Sequence, residues 1–118
     1  MSTVAELLHA NLHDVFGNRD AASRRAAIER TYAPDVTFTD PEEAVTGWDD
    51  LEAKAAALLE KAPAEFAFVD DGRPYASESR GALGWAFGPA GAPVVRGIDV
   101  ITVRDGVITA VETFFAAE

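Results

Sequence analysis

The chain has 118 residues, 48% hydrophobic and 25% charged, with a formal net charge of −10 and no cysteine. That is material for one domain with a real core, 1–118, whose acidity and scattered basic residues exclude a nucleic-acid backbone or an anionic membrane surface as partner. Without cysteine there is no disulfide, thiolate nucleophile or Cys-based metal site; with neither a basic, apolar leader nor a membrane-length apolar run, a cytoplasmic protein is expected.

The first half reads as helix. Val4, Leu7, Leu8, Leu12, Val15 and Phe16 recur at helical spacing, and Thr3 with Glu6 forms a capping box before them. Gly17-Asn18 ends this helix. Asp20 caps a second one, which runs to about Tyr32 and is stopped by Pro34. Val36 to Thr39 reads as a short strand closed by Asp40-Pro41. Thr46, with Asp49 three residues on, opens a third helix through Trp48, Leu51, Ala55, Leu58 and Leu59, and Pro63 ends it. Its acidic first turn and Lys61 in its last suit the helix dipole.

The second half reads as strand. Glu65 to Asp70 alternates around Phe66 and Phe68 and stops at Asp71-Gly72-Arg73-Pro74. Tyr75 to Phe87 reads as one long strand with Gly81 and Gly84 as bulge points. After the Gly88 to Gly91 turn come Val94 to Val103, the hairpin signal Asp105-Gly106, and Val107 to Phe115. Helices followed by a twisted antiparallel sheet predict an α+β fold, with helices on the concave face and a cavity between the layers. Both faces of the Val94–Val103 strand are largely apolar, so the outer face needs cover, and a homodimer through that face is expected.

Asp99 lies at the centre of the run Val94-Val95-Arg96-Gly97-Ile98-Asp99-Val100-Ile101. Burial there raises the pKa of a carboxyl group, which could then donate a hydrogen bond to an oxyanion or act as a general acid. The alternative is an Asp99 that faces solvent or pairs with Arg96 or Arg104. Asp40, at a strand end before Pro41, suits either a general base at a cavity mouth or an ordinary turn. The hairpin leaves two registers open. A two-residue turn sets Glu112 opposite Asp99, whereas a bulge at Gly106 sets Val111 there, with Thr113 and Phe115 on the same side and Glu112 outside. His9 and His13 have metal-ligand spacing but no evident third ligand, so no metal and no cofactor is expected. Phe16, Tyr32, Trp48, Trp85 and Phe115 are the aromatic candidates for lining a pocket that takes a small hydrophobic ligand. The glycines lead into no helix, which removes a phosphate cradle, and no nucleophile elbow is present.

The stretch Tyr32-Ala33-Pro34-Asp35-Val36-Thr37-Phe38-Thr39-Asp40-Pro41, with Gly47 before a helix, resembles the SnoaL-like branch of the nuclear transport factor two-like superfamily. Gly97-Ile98-Asp99-Val100 and Val103-Arg104-Asp105-Gly106-Val107-Ile108 fit the same pattern, so the resemblance spans roughly Ala5 to Phe115. It implies a cone-shaped curved antiparallel sheet packed on three N-terminal helices, a cystatin-like α+β barrel with an inner pocket and frequent dimers. Compared with ketosteroid isomerases, Asp40 matches the base and Asp99 the protonated oxyanion donor. The position of the helix-borne Tyr falls near Leu12, which cannot donate. Polyketide cyclases, with one pocket aspartate as acid/base, resemble this chain better. The implied function is a cofactor-free isomerase or cyclase acting on a hydrophobic carbonyl compound, with Asp40 taking the proton and Asp99 stabilising the enolate. A non-catalytic ligand-binding or dimerisation domain is the rival. An epoxide hydrolase ranks third, because alternation puts Arg96 and Asp99 on opposite faces.

Overall fold

The computed structural model describes residues 2–117. The first helix, α1 (Val4–His9), starts at the expected reciprocal cap. Thr3 Oγ1 accepts the Glu6 N–H at 3.1 Å, and Glu6 Oε1 accepts the Thr3 N–H at 2.8 Å. It continues without a break into a wider π-helical segment, Ala10–Phe16, closed by a bond from the Gly17 N–H to the Leu12 carbonyl at 2.7 Å. Asp20 caps α2 (Ala21–Thr31) by accepting the Ser23 N–H at 2.8 Å.

Strand β1 (Tyr32–Thr39) follows directly, earlier than the expected start at Val36. Pro34 falls inside it. The ladder to β7 is interrupted between Tyr32 and Thr37, so the missing proline N–H costs no sheet bond there. Thr46 does not open the third helix as expected. It belongs to a short strand, β2 (Ala44–Thr46), paired with Thr37; Gly47, at φ +90°, turns the chain into α3 (Trp48–Lys61). Then come β3 (Ala67–Asp70), β4 (Tyr75–Ala76), β5 (Arg80–Gly88), β6 (Val95–Arg104) and β7 (Val107–Phe115). The expected single strand Tyr75–Phe87 is therefore two, because Ser77 Oγ takes the Arg80 N–H and folds β4 back onto β5. Gly81 and Gly84 are not bulges; both hold regular register with β6. Gly81 serves close packing instead, since a Cβ there would come within 2.6 Å of Val4 Cγ1 and 2.9 Å of Leu8 Cδ1.

The strands form one curved sheet in the order β2-β1-β7-β6-β5-β3, with β4 beside β5. Three helices cover its inner face, as expected. The sheet is not closed, and it is mixed rather than wholly antiparallel, because β1 runs parallel to β7. Hairpin signals reveal neighbours in sequence; a pairing between the two ends of the chain leaves no such local trace.

The β6–β7 hairpin adopts neither register anticipated from sequence. Asp105 and Gly106 have φ of 54° and 80°, a two-residue turn that pairs Arg104 with Val107 and Val103 with Ile108. Thr109 is then an extra residue, for Thr102 pairs with Ala110. The shift sets Thr113 opposite Asp99 and Glu112 opposite Val100, on the exposed side. Inward positions of β6 are Gly97, Asp99 and Ile101. The outer sheet face leaves Tyr75, Ile98 and Phe114 exposed. Among the described residues no helix is long and apolar enough to cross a membrane.

Candidate active site

Between the helices and the inner sheet face lies a cavity of about 50 Å³. Its walls are mostly apolar: Leu12 and Phe16 from the π-helical segment, Phe38 from β1, Leu58 from α3, and Phe68, Trp85 and Phe115 from the sheet. Four polar groups interrupt them, namely Asp40, Lys54, Asp99 and Thr113.

Asp99 is buried, at 6% exposure, and three donors converge on it. Oδ1 accepts from Trp85 Nε1 at 3.0 Å and from Thr113 Oγ1 at 2.7 Å; Oδ2 accepts from Asn11 Nδ2 at 2.9 Å. Loss of hydration pushes the carboxyl group up, and the Thr113, Trp85 and Asn11 bonds pull it back; the balance stands at about 6. A carboxylate oxygen accepts about two bonds, so Oδ2 keeps one position free. Each donor depends on a local device. The Thr109 bulge brings Thr113 opposite Asp99. Gly97 pairs with Trp85, and because a Cβ there would overlap the indole ring, only glycine lets the ring lie across the strand. Asn11 sits in the π-helical segment, fully buried, and the Tyr32 hydroxyl donates to its Oδ1, which turns the amide nitrogen toward Asp99. Burial, then the charges of Asp99 and Asp14, hold the Tyr32 hydroxyl well above its ordinary pKa, so it remains a donor.

Asp40 lies just beyond β1 and is shifted the other way. Burial raises it, but the Lys54 ammonium at 2.7 Å and the N–H groups of Glu43 and Glu42 on Oδ1 outweigh burial and lower its pKa. It makes the ordinary aspartate turn and an ion pair at once. Lys54 also donates to Glu43 Oε2 at 2.8 Å, and its pKa is raised. With three N–H donors and two partners, it has one N–H left for the cavity it lines.

Of the aromatic residues expected to line the pocket, Phe16, Trp85 and Phe115 do. Tyr32 and Trp48 do not. Tyr32 lies behind Asn11. Trp48, at the start of α3, donates Nε1 to the Tyr32 carbonyl at 3.0 Å and packs against Arg25, away from the cavity. Both were anticipated as lining from residue type alone, and their polar atoms are already committed to structural bonds. Arg96 is on the outer face, paired with Asp71, and Arg104 is exposed at the end of β6, so neither arginine that could have neutralised Asp99 bonds to it. Sequence reasoning missed Asn11 and Lys54. Asn11 had a signal, as the polar residue in the Leu7–Leu8–Leu12 stripe; Lys54 had a weaker one, three residues from buried Leu51. A roomier groove of about 390 Å³ lies on the outer sheet face beside Tyr75, Ile98 and Phe114, but it holds none of these converging groups.

A family model described as the SnoaL-like domain matches residues 9–111 of the chain. A candidate isomerase of the SnoaL-like family from Agrobacterium tumefaciens str. C58 has a similar structure, with TM-score 0.88 at 24% identity over 99% of this chain and 100% of that one. A candidate ketosteroid isomerase from Kribbella flavida gives 0.73 at 19% identity, covering 98% and 78% respectively. A candidate SnoaL-like polyketide cyclase from Jannaschia sp. CCS1 gives 0.72 at 18% identity, covering 98% and 89%. At such identities the likeness establishes the fold. No curated protein matches the chain significantly.

Asp99 makes folding depend on pH in a definite sense. Its folded pKa of about 6 exceeds the ordinary 3.8, so its favourable contribution is complete below the unfolded value and is lost as pH rises through the folded one. Between about pH 4.5 and about pH 7.5, the parent is expected to lose about 2 kcal/mol relative to Asp99→Asn, as read by urea unfolding. Parallel stability curves for the two proteins would contradict the burial argument.

Proposed function

The chain belongs to the SnoaL-like domain family, and from that premise we propose that it is an acid/base enzyme of isomerase or cyclase type acting on a small, mostly apolar carbonyl compound. The observation that carries this reading is a buried carboxyl group poised near 6, with a free position on Oδ2, in the same apolar cavity as a lysine with an uncommitted N–H. A base works best when its pKa lies near the operating pH, which favours Asp99. Asp40, lowered and paired with Lys54, is the weaker base. The base implied by the resemblance to ketosteroid isomerases is therefore replaced: Asp99 takes that role, and Asp40 holds Lys54.

In this mechanism Asp99 Oδ2 takes a proton from the carbon next to the carbonyl. The C–H electron pair becomes the enolate double bond, and the charge arriving on oxygen is met by the free Lys54 N–H. For isomerisation, Asp99 returns the proton to another carbon. For cyclisation, the enolate carbon bonds to a second carbonyl of the same molecule, and the new alkoxide takes the proton back. A purely ligand-binding domain is the second reading; Leu12, an apolar residue where a donor would complete an oxyanion site, favours it.

Exchange of the alpha hydrogens of small ketones and cyclic enones for deuterium, followed by proton NMR in D2O, separates the two. Exchange with kcat/KM rising as pH passes through about 6 is expected, with a loss of roughly 10²–10⁴-fold in Asp99→Asn. Lys54→Met should also slow exchange. Ketones that bind without exchanging in the parent would favour the binding domain.

The exposed Tyr75, Ile98 and Phe114 on the outer sheet face support a homodimer through that face. Sedimentation equilibrium is expected to give a dimer for the parent and a monomer for Phe114→Asp; a monomeric parent would refute this part.

A further inference from the structure

Outside the cavity, three ligating groups converge that the acid/base chemistry does not use. His9 ends α1 and His13 lies in the π-helical segment, with ring centroids 4.6 Å apart. Asp70 ends β3. Its pairing with Trp85 turns the carboxylate toward the helices, where Oδ1 meets His13 Nε2 at 2.6 Å. One ligand atom from each of the three side chains lies within 4.8 Å of the others. The sequence supplied the histidine pair; the fold supplies the third member.

We propose that His9, His13 and Asp70 form a binding site for a divalent transition-metal ion, with water completing the coordination sphere. Two imidazole nitrogens and one carboxylate oxygen suit Zn²⁺ and its first-row neighbours, whereas Ca²⁺ and Mg²⁺ favour all-oxygen sets. Bonds of about 2.0–2.2 Å put tetrahedral ligands roughly 3.4 Å apart, so no gap within 4.8 Å need close by more than about 1.4 Å. His9 is exposed, and the His13 and Asp70 side chains are 29% and 44% exposed, so they can rotate without disturbing the core. The ion would replace the direct His13–Asp70 contact, and the net charge of −10 draws cations to the surface. The site would pin β3, which carries Phe68, to the helical segment that carries Asn11 and Leu12, joining two walls of the cavity.

The full chain, freed of metal with a chelator, is to be titrated with ZnCl2 by calorimetry, with CaCl2 as the comparison ion. One Zn²⁺ per chain at micromolar affinity is expected, with much weaker Ca²⁺ binding and a Tm raised by several degrees in excess Zn²⁺. His13→Gln and Asp70→Asn, checked by circular dichroism without metal, should each weaken Zn²⁺ binding by about 100-fold. Co²⁺ should give visible absorption that is lost in His9→Gln. Ca²⁺ binding as strong as Zn²⁺, or Zn²⁺ binding undiminished in the variants, would overturn the proposal, and so would a parent that binds no Zn²⁺.

Discussion

The structure turns on a carboxyl group taken out of water and then partly compensated. Left without donors, a buried carboxylate would cost several kcal/mol and remain protonated throughout the neutral range. Given three donors inside the same apolar shell, Asp99 settles at about 6, where both of its forms are accessible. Much of the local irregularity in this small domain serves that balance. The π-helical segment carries Asn11, Gly97 admits the Trp85 ring, and the extra residue Thr109 brings Thr113 across from Asp99. The π-helical segment and the extra residue depart from regular geometry, and all three devices end in a hydrogen bond to the same side chain.

The two aspartates of the cavity show how environment divides one chemistry into two roles. Asp40 meets an ammonium and two backbone N–H groups and becomes more acidic; Asp99 meets only neutral donors and a dry wall and becomes less so. Carboxyl groups pushed apart in this way mark the acid/base residue and its electrostatic partner. The arrangement also gives Lys54 a defined place, since a lysine held by Asp40 and Glu43 has little freedom to swing into bulk water. The cavity thus has a basic carboxylate, a fixed cation and apolar walls. That suits the making and holding of an enolate better than the capture of a charged guest.

What the sequence disclosed was governed by distance along the chain. The Thr3–Glu6 cap, the apolar stripe of the first helix, the Asp20 cap and the Asp105-Gly106 turn are set by residues within a few positions of one another, and all were legible. The burial of Asp99 was legible only in part: the apolar run allowed it, a solvent-facing or arginine-paired Asp99 stood beside it, and the family resemblance favoured the pocket. The parallel β1–β7 pairing, the Thr109 bulge and the Lys54–Asp40 pair were not, since each depends on tertiary contacts that no short window contains. Trp48 and Tyr32 mark the limit from the other direction. An aromatic residue looks the same in sequence whether it faces a guest or seals a joint, and these two seal the joint between α2, β1 and α3.

The protonation of this one buried side chain, Asp99, can be measured without knowing any substrate. Labelling the aspartate carboxyl carbons with ¹³C and following their shifts with pH, with Asp99→Asn to assign the resonance, gives the midpoint directly. Asp99 is expected to titrate near 6, above the ordinary 3.8. A midpoint near the ordinary 3.8 would mean that water or a cation reaches the group, and the acid/base reading of the cavity would fail.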